Sequence, residues 1–164
     1  MIIRDATEAD LPAIVEIFNA TIPSRMVSAT LEPVSVEERL PWFRAHSSDH
    51  HPLWVMNDGG RVLAWLSLQS FLPRCAYSGT AEVSVYVRED FRRCGVARNL
   101  IEEAIARAPS LKITALVGHV FAHNEASLRF FEKAGFERWG LLPRVAKLDG
   151  VERDLIIVGR HTQQ

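Results

Sequence analysis

Cysteine is scarce in this 164-residue chain, with only Cys75 and Cys94. Two thiols are too few for a disulfide framework or a structural zinc site, and they suit a reducing compartment. Long apolar runs are missing as well. No stretch approaches the ~18 residues of a membrane span, and Met1-Ile2-Ile3-Arg4-Asp5 holds no signal-peptide core. A cytoplasmic protein with no membrane partner is therefore expected. Charge excess is absent too: 19 basic residues face 20 acidic ones, for a net charge of -1. A nucleic-acid module carries a basic surplus, so no nucleic-acid partner is expected. Repeats, low-complexity tracts and linkers are lacking, which predicts a single domain over residues 1–164. At 48% hydrophobic and 24% charged residues the composition is that of an ordinary globule.

Strand-like and helix-like segments alternate along the chain. Ile2-Ile3-Arg4 reads as a strand. Thr7 then precedes a helix whose Leu11, Ile14, Val15 and Phe18 form one apolar stripe. Residues 21–33 have no period and read as a loop. Ser35-Val36-Glu37-Glu38 is a capping box that opens a short helix through Trp42-Phe43. Asn57-Asp58-Gly59-Gly60 separates two strand patterns, as a hairpin turn does. Another strand spans 80–87, and from Gly95 a helix sets Ala97, Leu100, Ile101, Ala104, Ile105 and Ala108 on one face. Residues 111–121 predict a strand. Asn124 predicts a helix cap, with Leu128, Phe131 and Ala134 in line and Gly135 as terminator. Two last strands are expected at 136–142 and 151–158, with a turn at Leu148-Asp149-Gly150. The order predicts an α/β (α+β) fold: a mixed, mostly antiparallel sheet of about seven strands flanked by about four helices.

The chemically informative stretch runs from Glu82 to Arg98. A strand enters a charged turn and then a helix at Gly95, whose first amides have no partner inside the helix. Such amides, at the positive end of the helix dipole, suit phosphate oxygens. Arg88, Arg92, Arg93 and Arg98 against Glu89 and Asp90 give a local charge of +2. A diphosphate ligand is therefore expected. The spacing is neither a P-loop nor a dinucleotide fingerprint. His119 and His123, and His46, His50 and His51, lack metal-ligand spacing, so no metal is expected. Trp42, Trp65 and Phe131 read as core.

Arg92-Arg93-Cys94-Gly95-Val96-Ala97 resembles the acetyl-CoA signature of the GNAT acetyltransferases, Arg/Gln-x-x-Gly-x-Gly/Ala. Asn124-Glu125-Ala126-Ser127 and Phe131-Glu132-Lys133-Ala134-Gly135-Phe136 resemble a second segment of that family. Phe18-Asn19, Glu32-Pro33, Glu82-x-Ser84-Val85-Tyr86-Val87 and Gly140-x-Leu142 are similar to the phosphinothricin and methionine sulfoximine N-acetyltransferases within it. The likeness spans the chain except for the 21–31 loop.

This resemblance implies an acetyl-CoA-dependent N-acetyltransferase acting on a small amino-acid-like amine, and a homodimer. It implies that the Val85, Tyr86 and Val87 backbone pairs with the pantetheine arm. The turn of Arg92, Arg93, Cys94, Gly95, Val96, Ala97 and Arg98 would hold the pyrophosphate, with Asn124 and Ser127 also at the cofactor. Glu82, Val83 and Ser84 would line the acceptor pocket under a loop of Leu72, Pro73 and Arg74. Arg74 is the one cation between Ser70 and Gly79, and it suits an acceptor carboxylate. Glu82 is the only acid within its strand and the expected general base, while the Val85 amide is the expected oxyanion donor. Seven residues after Asn124, where the family has tyrosine and the subfamily histidine, stands Phe131. A non-catalytic acyl-CoA-binding module or sensor is the alternative, and a protein-directed acetyltransferase a weaker one.

Overall fold

The protein is described here by a computed structural model covering residues 1–163. Seven strands are β1 (Ile2–Asp5), β2 (Leu53–Asp58), β3 (Arg61–Ser70), β4 (Thr80–Val87), β5 (Ala115–Phe121), β6 (Glu137–Leu148) and β7 (Val151–His161). Four helices are α1 (Leu11–Asn19), α2 (Val36–Arg44), α3 (Val96–Arg107) and α4 (Glu125–Lys133). The strands form one sheet in the order β1-β2-β3-β4-β5-β7-β6. The β4–β5 contact is parallel and every other pair is antiparallel. This is the expected class and element order. Among the described residues, no helix is long and apolar enough to cross a membrane.

Local chemistry explains most boundaries. The Ser35 hydroxyl accepts the Glu38 amide at 3.1 Å while Glu38 accepts the Ser35 amide at 2.7 Å, so the predicted box starts α2. The β2–β3 turn needs left-handed backbone at Gly59 (φ 56°) and Gly60 (φ 86°), which glycine adopts without a Cβ clash. Three boundaries differ from expectation, one of them the end of β7, which runs past residue 158 to His161. Strand β5 begins at Ala115, not at residue 111, because Pro109 favours a tight turn and Lys112 takes φ 59°. Strand β6 runs past residue 142 to Leu148, absorbing Pro143 and Arg144 (φ 53°) in a bulge opposite β7.

Both faces of the sheet are covered. Leu100, Ile101 and Ala104 of α3 and Leu128 and Phe131 of α4 pack against Leu66, Leu68, Val83 and Leu116. On the other face, Leu11, Ile14, Val15 and Phe18 of α1 pack against Val55, Val62 and Trp65, as the α1 stripe predicts. Each such large side chain contributes about 1.5–3 kcal/mol relative to exposure. Strand alternation then sorts β4: Val83, Val85 and Val87 face α3, while Tyr86 joins the α1 side.

Candidate active site

The sheet is incomplete at its centre. Strands β4 and β5 pair only through Thr80–Ala115, Ala81–Leu116 and Glu82–Val117, and beyond Glu82 they diverge. The Arg88 amide donates to Leu63 across β3, so even-numbered β4 residues direct their backbone groups toward β3. The amides and carbonyls of Val83, Val85 and Val87 therefore face the gap. A cleft of about 460 Å³ fills it, lined by Val83 to Val87 on one side and by His119, Phe121, Asn124 and Ser127 on the other. A second cavity of about 480 Å³ shares Val87, Arg92, Arg93, Ala97, Ala126 and Phe130 with the first, so the two form one groove.

The groove ends at the start of α3. Gly95 caps the helix with φ 78°, and Arg93 precedes it at φ 62°. The first helical bond runs from the Asn99 amide to the Gly95 carbonyl. Among the described residues, no amide from 93 to 98 makes a hydrogen bond of good geometry to a backbone or side-chain acceptor. Space beside the Gly95 Cα is open, with no heavy atom within 4 Å of where a Cβ would stand. Phosphate oxygens can approach this backbone closely.

The expected charge of the turn is redistributed. Arg88 binds Glu16 through two hydrogen bonds of 3.0 and 3.1 Å and the Val62 carbonyl at 2.7 Å, so it clasps β4 to α1. Arg98 pairs with Glu102 and is largely exposed, while Asp90 pairs with Arg61. Arg92 and Arg93 are left to line the groove, joined by Arg129 and Lys133 of α4. Lys133 belongs to the second motif segment, whereas Arg129 carries no motif of its own; their spacing of four places the two on one helical face. Cys94 is exposed, with its thiol 3.5 Å from the Arg92 carbonyl.

At the β5 end, Asn124 is buried and its amide is fully engaged. Its oxygen accepts the Ser127 amide at 3.2 Å, and its nitrogen donates to the Met26 carbonyl and the Ser127 hydroxyl. It thus caps α4 and tethers the 21–31 loop, which brings Val27 to the cleft wall. His123 holds the same loop at the Arg25 carbonyl, and Arg25 pairs with Asp149 of the β6–β7 turn at 2.8 Å.

On the α1 face, Glu82 meets a partner that sequence reasoning passed over. His119 Nδ1 lies 2.8 Å from Glu82 Oε1, and each side chain is 31% exposed. The carboxylate bond raises the His119 pKa above its ordinary value, and partial burial opposes this. Nearby, Tyr86 stacks on Trp65 with ring centroids 4.4 Å apart, and burial pushes its hydroxyl up to about 12. Tyr86 is thus uncharged at neutral pH.

Ser84 lines the cleft, whereas the Val83 side chain is buried toward α3 and offers only its backbone. Leu72, Pro73 and Arg74 lie in an exposed loop beyond β3, and none of them lines the two cavities. Phe131 is buried between Phe130 and Phe136, its ring edge against Gly118. A pair of buried Ser67 and half-buried His46, 2.7 Å apart, lies outside the groove and ties the segment after α2 to β3.

Comparison with known proteins agrees with this architecture. The Acetyltransferase (GNAT) family profile matches residues 11–136. The chain is 48% identical over 161 residues, 98% of each sequence, to the Bacillus subtilis protein named "Putative phosphinothricin acetyltransferase YwnH". It is 34% identical over 154 residues to the L-methionine sulfoximine/L-methionine sulfone acetyltransferase of Pseudomonas aeruginosa, covering 93% of this chain and 90% of that one. The structure of yncA from Salmonella typhimurium with acetyl-CoA superposes with a TM-score of 0.93 at 27% identity, over 100% of this chain and 95% of that one. A gap between two parallel strands, a helix start with unpartnered amides and a profile match across most of the sequence converge: the chain is an acetyltransferase of the GNAT family.

Proposed function

We propose that this enzyme moves the acetyl group of acetyl-CoA onto the primary amine of a small amino-acid-like acceptor, of the phosphinothricin or methionine sulfoximine kind. One observation carries the reading. A single groove joins unpartnered helix-start amides, the free edge of β4 and the His119 ring, behind which the Glu82 carboxylate lies 2.8 Å away without lining the groove itself. The amides from Arg93 to Arg98, with Arg92, Arg93, Arg129 and Lys133, suit a pyrophosphate. The free backbone groups of Val85 and Val87 suit an amide-bearing arm laid beside β4 as an added strand.

The chemistry follows from that placement. An acceptor ammonium has no lone pair, so a proton must leave toward the Glu82–His119 pair before the nitrogen can attack the thioester carbon. The C–N bond then forms, and negative charge gathers on the former carbonyl oxygen, where the Val85 amide can donate. The C–S bond breaks, the thiolate departs, and the second surplus proton passes from nitrogen to thiolate or water, leaving one N–H in the amide product. Phe131 cannot donate a proton, and a thiol of pKa about 8.5 does not need a strong acid to leave. Arg74 is assigned to the acceptor's acidic group, with Leu72 and Pro73 closing over it. A sensor without catalysis would not need an ionisable pair at the gap, and Glu82–His119 favours the enzyme.

Two further features bear on the setting. Strand β6 is a sheet edge exposing Trp139, Leu141, Leu142 and Val145, an apolar row that a second copy would cover in a homodimer. Exposed free thiols at Cys75 and Cys94 suit a reducing, cytoplasmic compartment. Incubation with acetyl-CoA and a panel of amines, read by thiol release, tests the reaction. Release with methionine sulfoximine or a similar amino acid is expected, and no release with any amine contradicts the proposal.

A further inference from the structure

We infer that the atom taking the acceptor's proton is Nε2 of His119, and that Glu82 acts through this ring. The inference deepens the acetyl-transfer reading and rests on it. Parallel pairing sets Glu82 opposite Val117, the last residue of β5 in register with β4. His119 is two residues further and on the same face, where the strands have begun to diverge. Its ring therefore reaches back across the gap to Glu82, with Nδ1 2.8 Å from Oε1. His119 also lines the cleft beside the free β4 edge.

The bond fixes the tautomer. An ionised carboxylate can only accept, so Nδ1 carries the hydrogen and the ring's lone pair lies on Nε2. Among the described residues, Nε2 has no hydrogen-bond partner. Proton transfer then balances simply: the acceptor N–H bond breaks, an Nε2–H bond forms, and the imidazolium is neutralised by Glu82. The ring later returns its proton to water. Imidazole is a base suited to neutral pH, and the Glu82 bond raises this one above its ordinary value, which strengthens it as a base.

The surroundings leave Glu82 as the charge that acts on this ring. Ile157 of β7 stands opposite His119 and is apolar. Val117 and Phe121 flank it on β5, and Tyr86 of β4 is neutral. His123 stacks on Phe121 with its Nε2 at the Arg25 carbonyl, and Arg39 of α2 lies over the Phe18 and Trp42 rings. Glu82 raises the His119 pKa by hydrogen bond and by charge, and partial burial lowers it.

The test is the pH dependence of kcat with both substrates saturating, in wild type, His119→Ala and Glu82→Gln. Wild type should lose activity on the acid side as His119 protonates. Glu82→Gln should move that limb to lower pH, because the raising partner is gone. His119→Ala should abolish the limb and lower kcat by roughly 10²–10⁴, with partial recovery on adding imidazole. Acetyl-CoA affinity, measured by calorimetry, should stay unchanged in both variants. A His119→Ala enzyme within tenfold of wild type and with the limb unmoved overturns the inference while leaving acetyl transfer intact. Loss of cofactor affinity along with kcat overturns it too, since the ring would then be structural. A wild-type enzyme that acetylates no amine removes the acetyl-transfer reading itself.

Discussion

Replacing Gly95 by valine separates backbone strain from ligand contact, provided it is paired with Gly60→Val. Both glycines hold left-handed backbone, at φ 78° and φ 86°, and neither has a heavy atom within 4 Å of its would-be Cβ. The folded chain meets each valine with the same difficulty, about 1–2 kcal/mol for an L residue forced left-handed. For a protein of this size each should unfold about 2–8 °C lower than wild type. The ligand sees them differently. Gly60 sits in the β2–β3 turn, with its amide on Asn57, whereas Gly95 lines the groove at the start of α3. In the proposed site, valine at 95 would fill the open space through which phosphate oxygens would approach the Val96 and Ala97 amides. Two lost hydrogen bonds to a charged group, at about 1.5–3 kcal/mol each, amount to ~3–6 kcal/mol. At about 1.4 kcal/mol per decade that is roughly a 10²–10⁴-fold weaker Kd for acetyl-CoA. Calorimetric titration of the two variants reads this directly. Equal affinity in Gly95→Val and Gly60→Val, with matched Tm losses, refutes the pyrophosphate assignment.

Other expectations concern the acceptor side and stability. Phe131→Tyr should change kcat no more than a few-fold, because the thiolate leaves without help; a gain of about a hundredfold in stopped-flow thiol release would show that an acid is needed. Arg74→Ala should raise KM for amino-acid acceptors and leave acetyl-CoA affinity alone, with the penalty vanishing for decarboxylated amines; an equal penalty for both acceptor types rules out carboxylate binding. Arg4 holds Asp10 through bonds of 2.7 and 2.9 Å, chiefly thereby depressing its pKa below 3.8. Stability from this pair is present above the unfolded pKa and lost as pH falls through the lower folded value. Asp10→Asn should cost about 1.5–3 kcal/mol at neutral pH, and thermal melts should show that difference shrinking below pH 4. A gap that widens on acidification contradicts the sign.

Local signals were legible because they depend on neighbours in sequence. The Ser35 box, the Gly59-Gly60 turn and the α1 stripe each follow from residues within a few positions, and each stands where expected. Boundaries at Ala115 and Leu148 were not legible, since apolar content near 111–114 hides the turn that Pro109 and Lys112 impose. A bulge at Pro143 likewise needs β7 as its template. The turn at 92–98 reads from sequence as a helix start with free amides, but its charge does not. Arg88 and Glu16 are brought together only by the packing of α1 on the sheet. The same limit hid His119. Its pairing with Glu82 spans 37 positions and exists because a parallel register sets Glu82 beside Val117. Neither residue type nor spacing announces that register.

The most direct test follows the acetyl carbon itself. Acetyl-CoA labelled at the carbonyl carbon is mixed with enzyme and L-methionine sulfoximine, and the carbon resonance is followed by NMR alongside thiol release. The thioester signal should convert to an amide signal on the acceptor, with one thiol freed per amide formed. Label that stays on the thioester, or that appears as free acetate while the acceptor remains unmodified, contradicts acetyl transfer to the amine.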